Sequence, residues 1–354
     1  MSEFGVYVHI PFCRHRCDYC AFATWTDRDH LMVEYVDAVV LDIKRSVAAG
    51  MPVADTVFFG GGTPTRLAPE LITKIVAAIP MSPHAEVTVE CNPDDVTSEL
   101  MQVYAAGGVN RVSIGVQAMV GHVLASLGRT HDPSNVEKAV YAAREAGISS
   151  INLDLIYGVH GESLEDWRST LTAAIALAPT HISAYGLTVE AGTPLADDPA
   201  RHPDDDDQAD KYIMTDDMLG AAGMHNYEIS NWAIDGHECR HNKVYWSQGN
   251  YKGFGCASHS HQDGRRFWNV RTPDRYIACV NEGISVEAAD EVLDEETRAR
   301  EALELSLRTA DGVPLGALDV ASLEGLVSVQ GNRVVLTRNG KLLANEVSLR
   351  LKPR

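Results

Sequence analysis

From residue 5 to about 190 the chain repeats one pattern: a short β-branched run ending on a polar residue or glycine, then a stretch with apolar positions at helical spacing. The runs are Gly5–Phe12, Thr56–Phe59, Glu86–Glu90, Val112–Gln117, Ile151–Ile156 and Ile182–Leu187. They are short and nearly all apolar, as expected of parallel strands buried on both faces. After the first run, Met32, Val36, Val39, Val40, Ile43 and Val47 share one face of a helix. Further helices are expected to start near Pro69, Ser98, Ser134 and Ser163, with the three serines placed to cap the free amides of a helix start. Six strand–helix units make this an α/β chain and suit a partial (β/α)6 barrel better than a flat doubly wound sheet. Periodicity alone does not separate the two.

The polar residues that end these runs fall in register. Cys13, the loop Gly60-Gly61-Gly62-Thr63-Pro64, Glu90, Gln117, Asp154 and Tyr185 all sit at or just beyond successive strand ends. Barrels of this kind build their sites on that rim. After about Asp290 the texture changes: a charged helix, Glu295–Leu307, precedes Leu323–Val329, Arg333–Thr337 and a closing helix, Gly340–Leu349. Two short strands around Gly331-Asn332 suggest the wing of a small, winged-helix-like α+β domain. The expected division is a barrel over residues 1–230, a barrel-closing segment over 231–290 and a C-terminal domain over 291–354.

Composition narrows the partners. Thirty basic residues against 49 acidic ones give a formal net charge of −19, a field that repels a phosphate backbone, and no basic stripe offsets it. Nucleic acid is therefore not an expected partner. The pair Arg265-Arg266 is too short to anchor anionic lipid, and no stretch approaches the length of an apolar membrane span. The start, Met1-Ser2-Glu3-Phe4, has neither the basic residues nor the apolar segment of an export signal, so a cytoplasmic protein is expected. The acidic stretch Asp197–Asp210 lacks the turn glycines of a calcium loop and reads as a solvated loop leading into a helix. Nothing in the pattern fixes an oligomeric state.

Seven cysteines, an odd number without an export signal, argue against a disulfide framework. Three of them form Cys13-Arg14-His15-Arg16-Cys17-Asp18-Tyr19-Cys20, a C-x3-C-x2-C spacing. Soft thiolates suit zinc or an iron–sulfur centre. A zinc site completed by His9 or His15 would make the chain a zinc-stabilised interaction module, but the second ligand pair usual in structural zinc sites is missing. A 4Fe–4S cube held by three cysteines keeps one iron open for another ligand.

With Tyr7-Val8-His9-Ile10-Pro11-Phe12 before the triplet and an aromatic residue inside it, the chain resembles the HemN/HemW branch of the radical SAM superfamily, over most of its length. In that chemistry the open iron chelates S-adenosylmethionine (SAM), and an electron from the cluster breaks the SAM S–C bond. The resemblance implies that Tyr7, Gly61, Gly62, Thr63 and Glu90 face one SAM. It also implies that Tyr19, Gln117, Arg129 and Asp154 surround the place of a second SAM or another ligand. The matching motifs are Gly60–Pro64, Val89–Pro93, Gly115-Val116-Gln117, Arg129 and Asp154–Gly158.

Two families of the branch differ at the cluster. HemN, an oxygen-independent coproporphyrinogen III dehydrogenase, carries a long extension before its cluster and a fourth cysteine two residues after the third. Here that position is Phe22, and twelve residues precede Cys13. Both departures match the heme-chaperone family, HemW, as does His241-Asn242-Lys243-Val244-Tyr245-Trp246, which resembles that family's heme-associated His-Asn-x-x-Tyr-Trp motif. The resemblance implies a protein that binds heme and delivers it to acceptor hemoproteins, with His241 a candidate ligand and a core histidine its alternative. Cys239, Cys256, His237, His259 and His261 are reserve candidates nearby. Transient membrane contact through an acceptor stays open, as does reductive SAM cleavage; the decarboxylation of HemN is not expected.

Overall fold

The computed structural model describes residues 3–352; Met1 and Ser2, read above for an export signal, lie outside them. Six parallel strands stand side by side in chain order: β1 (Phe4–Ile10), β2 (Ala54–Gly61), β3 (Met81–Cys91), β4 (Arg111–Gln117), β5 (Ser150–Tyr157) and β6 (His181–Gly186). Helices return the chain between and after them: α1 (Met32–Ala48), α2 (Pro69–Val76), α3 (Ser98–Ala106), α4 (Gly121–Ser126), α5 (Ser134–Glu145), α6 (Leu164–Ala176) and α7 (Asp205–Ala221). This is the expected partial barrel. The chain then adds β7 (His225–Glu228) and β8 (Asn231–Ala233) beyond β6, followed by α8 (Arg240–Trp246). Beyond β1 it adds β9 (Asn250–Phe254), β10 (His259–Gln262) and β11 (Arg265–Asn269), then α9 (Pro273–Glu282) and β12 (Glu287–Val292). The strands of 231–290 thus widen the sheet at both edges, and its outermost members are β12 and β7.

Alternation along the strands sorts the side chains. Val6, Val8, Ile10, Val57, Phe59, Val89, Val112, Ile114, Leu153, Leu155 and Ile182 are fully buried or nearly so, in one core with the apolar faces of the helices. Their strand neighbours are Tyr7, His9, Thr56, Thr88, Glu90, Arg111, Ser113, Asn152, Asp154, His181 and Ser183, which successive strands bring into register on the inner face. The strands, read as nearly all apolar, are buried on both faces, but the two faces differ: one packs on helices, while the other lines a barrel where most polar groups bond one another. Asn152 Nδ2 donates to Ser113 Oγ at 2.6 Å, to Asp154 Oδ1 at 2.8 Å and to Ser183 Oγ at 3.0 Å. Asn152 Oδ1 receives His181 Nδ1 at 2.6 Å, and His181 Nε2 meets the Tyr227 hydroxyl at 2.8 Å.

At the far end of the barrel, Glu86 accepts the backbone N–H groups of Arg240 at 3.2 Å and His241 at 3.1 Å. Its carboxylate satisfies amides that a helix start leaves free, and so holds α8 against the beginnings of β2 and β3. Of the three serines expected to cap helices, only Ser163 does, in a reciprocal box with Asp166. Thr97 caps α3, and Ser134 lies inside α5 with its own N–H held by Asp132. A hydroxyl or carboxylate one or two residues upstream had the better geometry. The acidic stretch enters α7 with Asp204 as its cap and Asp205, Asp206 and Asp207 in the first turn, where the helix dipole favours negative charge.

The remaining chain forms α10 (Glu295–Leu307), the three-stranded sheet β13 (Val313–Pro314), β14 (Val327–Gln330) and β15 (Arg333–Leu336), and the short helices α11 (Arg338–Leu342) and α12 (Ala344–Ser348). The hairpin around Gly331-Asn332 is as expected. The single closing helix over Gly340–Leu349 is instead two, broken at Leu343 (φ −113°, ψ 28°). Leu307, Val313, Leu323, Val334 and Val347 make a separate small core, joined to the barrel by Ile229.

A buried ion pair ties α7 to the rim of β5. Lys211, fully buried, lies 3.1 Å from Glu162 Oε2, which in turn receives the Gly158 N–H at 2.9 Å, just past Tyr157. Removing the cation strands a buried carboxylate. We expect Lys211→Met to lower unfolding stability by about 3–5 kcal/mol, read as a fall in the urea midpoint at unchanged slope; an unmoved midpoint contradicts the assignment.

Candidate functional site

A cavity of about 620 Å³ opens at the C-terminal ends of β1–β6. Cys13, Cys17, Cys20 and Tyr19 form one wall; Gly61, Gly62, Thr63, Glu90, Gln117, Arg129 and Asp154 form the others. These eleven residues span a little over 140 positions of sequence and meet in one place because they lie at the C-terminal ends of strands of the same sheet or in the segments that follow them.

The cysteine loop is pinned at its base. Cys13 N–H donates to Trp25 O at 3.0 Å and Trp25 N–H to Pro11 O at 2.8 Å, so residues 13–25 leave β1 and return beside it. Within the loop, Cys20 N–H donates to Cys17 O at 3.1 Å, the turn that a two-residue spacer permits. Thr63 Oγ1 reaches Cys13 Sγ at 3.6 Å, and Arg129 Nη1 lies 3.8 Å from Cys17 Sγ. Burial raises the Cys13 thiol to about 11, so metal binding there must displace its proton. The two histidines of the zinc reading are engaged elsewhere: His9 Nε2 bonds Ala23 O at 2.8 Å and its Nδ1 the Tyr7 hydroxyl at 3.2 Å, while His15 Nε2 bonds Gly128 O at 2.9 Å. Among the described residues no three His, Cys, Asp or Glu side chains converge on a single-ion site. Three thiols on one loop, without a fourth donor, are the donor set that a cubane with one open iron requires.

The glycine loop is shaped by close packing. Gly61 has φ +108°, and a Cβ there would run into the His9 ring. At Gly62 a Cβ would come within 2.8 Å of the Ile10 and Phe12 carbonyl oxygens, which accept the Gly62 and Thr63 N–H groups. The loop is thereby locked to the start of the cysteine loop. Gly61 N–H also donates to Glu90 Oε2 at 3.2 Å.

Glu90 and Asp154 give the cavity its charge. Burial, reinforced by the negative charge of Asp154 and opposed by the Gly61 N–H, lifts Glu90 to about 8. Burial also raises Asp154, but Ser113 Oγ at 2.7 Å and Asn152 Nδ2 at 2.8 Å favour its ionised form. Burial thus raises both carboxyls, and the hydrogen bonds to Asp154 oppose the rise there. Gln117 holds a left-handed backbone (φ 63°), uncommon for a residue with a side chain, and Arg129 Nη2 donates to Gly115 O at 2.7 Å. Ser113, Asn152 and Ser183 were not singled out by motif. Their signal is the alternation of polar residues within β4, β5 and β6.

Tyr7 and His241 do not line the cavity. Tyr7 lies below it, bound to His9 and stacked at 6.3 Å on Phe58. His241 lies apart from that cavity. It sits at the opposite end of the barrel, 1% exposed, with Nδ1 on Thr56 Oγ1 and Nε2 on the Tyr245 hydroxyl, each at 2.8 Å. Burial lowers it to about 3, so it is a neutral core imidazole with both nitrogens in use. Among the reserve candidates, Cys239 faces Glu86, Cys256 faces Tyr35, and His261 bonds Gly249 O and Gly264 N.

The Radical SAM superfamily model matches residues 7–174. The heme chaperone HemW of Mycobacterium tuberculosis is 37% identical, over 98% of this chain and 94% of that protein. The chain belongs to the HemW family. The family's Bacillus subtilis protein is 36% identical over 97% of both chains. That of Escherichia coli is 34% identical over 98% of this chain and 97% of its own. The solved coproporphyrinogen III oxidase HemN of Escherichia coli superposes with a TM-score of 0.85 over 98% of this chain and 89% of that one, at 22% identity, which shows a common fold.

Glu90 makes a stability prediction. Its carboxyl is raised in the folded state from the ordinary 4.5 to about 8, so the folded protein holds a proton that the unfolded chain has lost. Stability from this group is full below 4.5 and falls as pH rises towards 8. Glu90→Gln should therefore melt close to wild type at acid pH and progressively higher than wild type as pH rises, in metal-free protein followed by scanning calorimetry. A melting gap that stays constant with pH counts against a protonated Glu90.

Proposed function

We propose that this chain is a heme chaperone: it binds heme and passes it to acceptor hemoproteins, in the cytoplasm, without nucleic acid. The observation that carries the reading is likeness along nearly the whole chain to proteins named heme chaperone HemW, with the cysteine loop, the glycine loop and Glu90 gathered in one cavity. Cys13, Cys17 and Cys20 hold a 4Fe–4S cluster, and Gly61, Gly62, Thr63 and Glu90 take the methionine end of SAM. Tyr7 supports them from below through His9. Tyr19, Gln117, Arg129 and Asp154 bound the remainder of the cavity, where a second ligand fits. When bound, such a cluster supplies one electron to SAM. The residues themselves place charge and exclude water: Arg129 lies beside Cys17, where thiolate charge collects, and the Gly61 N–H fixes the Glu90 carboxyl.

The reading is tested on anaerobically reconstituted protein. Iron and sulfide should bind in near-equal amounts, and Cys17→Ala should lose most of both. Hemin should shift its absorbance on binding, unchanged in band position by His241→Ala, because that imidazole is spent inside the barrel. With coproporphyrinogen III, SAM and a reductant, no protoporphyrinogen should form. Efficient turnover overturns the chaperone reading in favour of a dehydrogenase, and a zinc-only preparation that cannot take up iron overturns the cluster.

A further inference from the structure

A protein that carries heme and releases it needs a surface for a flat apolar ring with a dianionic edge. At the lower end of the barrel His241 has both ring nitrogens in use. Although the chain is strongly acidic, with a net charge of −19, its cysteine loop sets Arg14 and Arg16 on the rim of the cavity. The Arg14 side chain is 70% exposed and gives one nitrogen to Asp95 at 3.1 Å. Arg16 spends only its Nε, on Cys20 O at 3.0 Å, and its two terminal nitrogens have no protein partner among the described residues. Six residues on, Phe22 stands 66% exposed on the same rim. Tyr185, which follows Ser183 on the inner face of β6, also borders the cavity, at 40% exposure.

Leaving a phenylalanine ring in water forfeits about 1.5–3 kcal/mol of burial, and Phe22 is left so. Guanidinium groups pair with carboxylates through two parallel hydrogen bonds, while aromatic faces cover apolar rings. Both chemistries occur together at this rim. We propose that the barrel mouth is the heme-docking surface, Phe22 and Tyr185 taking the apolar macrocycle and Arg14 and Arg16 its two carboxylates. The proposal rests on the heme reading above and adds the place and the recognition chemistry. The cavity interior stays free for the groups assigned to the cysteines and Glu90, and heme lies across its lip, open to solvent on the side from which an acceptor approaches.

The test uses cluster-loaded protein titrated anaerobically with hemin and with hemin dimethyl ester, which lacks the carboxylates, followed by absorbance. Wild type should bind hemin about tenfold or more tightly than the ester. The double substitution Arg14→Gln, Arg16→Gln should close that gap, and Phe22→Ser should weaken both ligands by about tenfold. Iron and sulfide contents equal to wild type show that each variant keeps its loop; should a variant lose them, the hemin-to-ester comparison on wild type alone decides. Equal affinity of wild type for the two porphyrins, or variants that bind hemin as wild type does, overturns the docking surface while leaving heme binding intact. No hemin binding by wild type overturns both readings.

Discussion

Each parallel strand of this barrel faces two different surroundings, and the alternation of its side chains satisfies both. Outward, valine, isoleucine and leucine pack under the helices; inward, serine, asparagine, threonine, histidine and carboxylates bond across strands. A buried polar side chain is costly unless it is paired. The inner face therefore works as a network rather than a set of independent groups. Asn152 is its hub, touching Ser113, Asp154, Ser183 and His181. Because the strands are parallel, the network delivers its uppermost member, Asp154, to the same end as Glu90 and the cysteine loop.

From that constraint follows the electrostatic asymmetry of the site. Asp154 stands on the network and receives two side-chain hydrogen bonds. Glu90 stands one strand pair away and has a single backbone donor, so burial and its neighbour's charge dominate. Placing both near thiols that must lose protons to bind metal makes the cavity sensitive to whatever positive charge enters it. The cysteine and glycine loops are locked together by the Ile10 and Phe12 carbonyl groups, so they cannot move independently.

The two ends of the barrel have different tasks. The lower end is closed by α8, held by the Glu86 carboxylate and filled by His241 and Tyr245. The upper end is open, with Arg14, Arg16 and the exposed Phe22 at its rim.

The amino-acid sequence alone determined what is local. The cysteine spacing, the glycine loop, the six strand runs and the hairpin around Gly331-Asn332 depend on neighbours within a few residues, where chain geometry leaves little choice. Strand order and the rim position of Glu90, Gln117 and Asp154 were legible too, because parallel strands joined by helices put successive strand ends on one side. Tertiary structure decided the rest. Thr56 and His241 are 185 positions apart, and only packing tells that the imidazole spends both nitrogens inside the barrel. The approach of Arg129 to Cys17 and the burial that raises Glu90 arise from distances between separate elements. Such distances are set by how the core fills space, and no pattern along the chain encodes them.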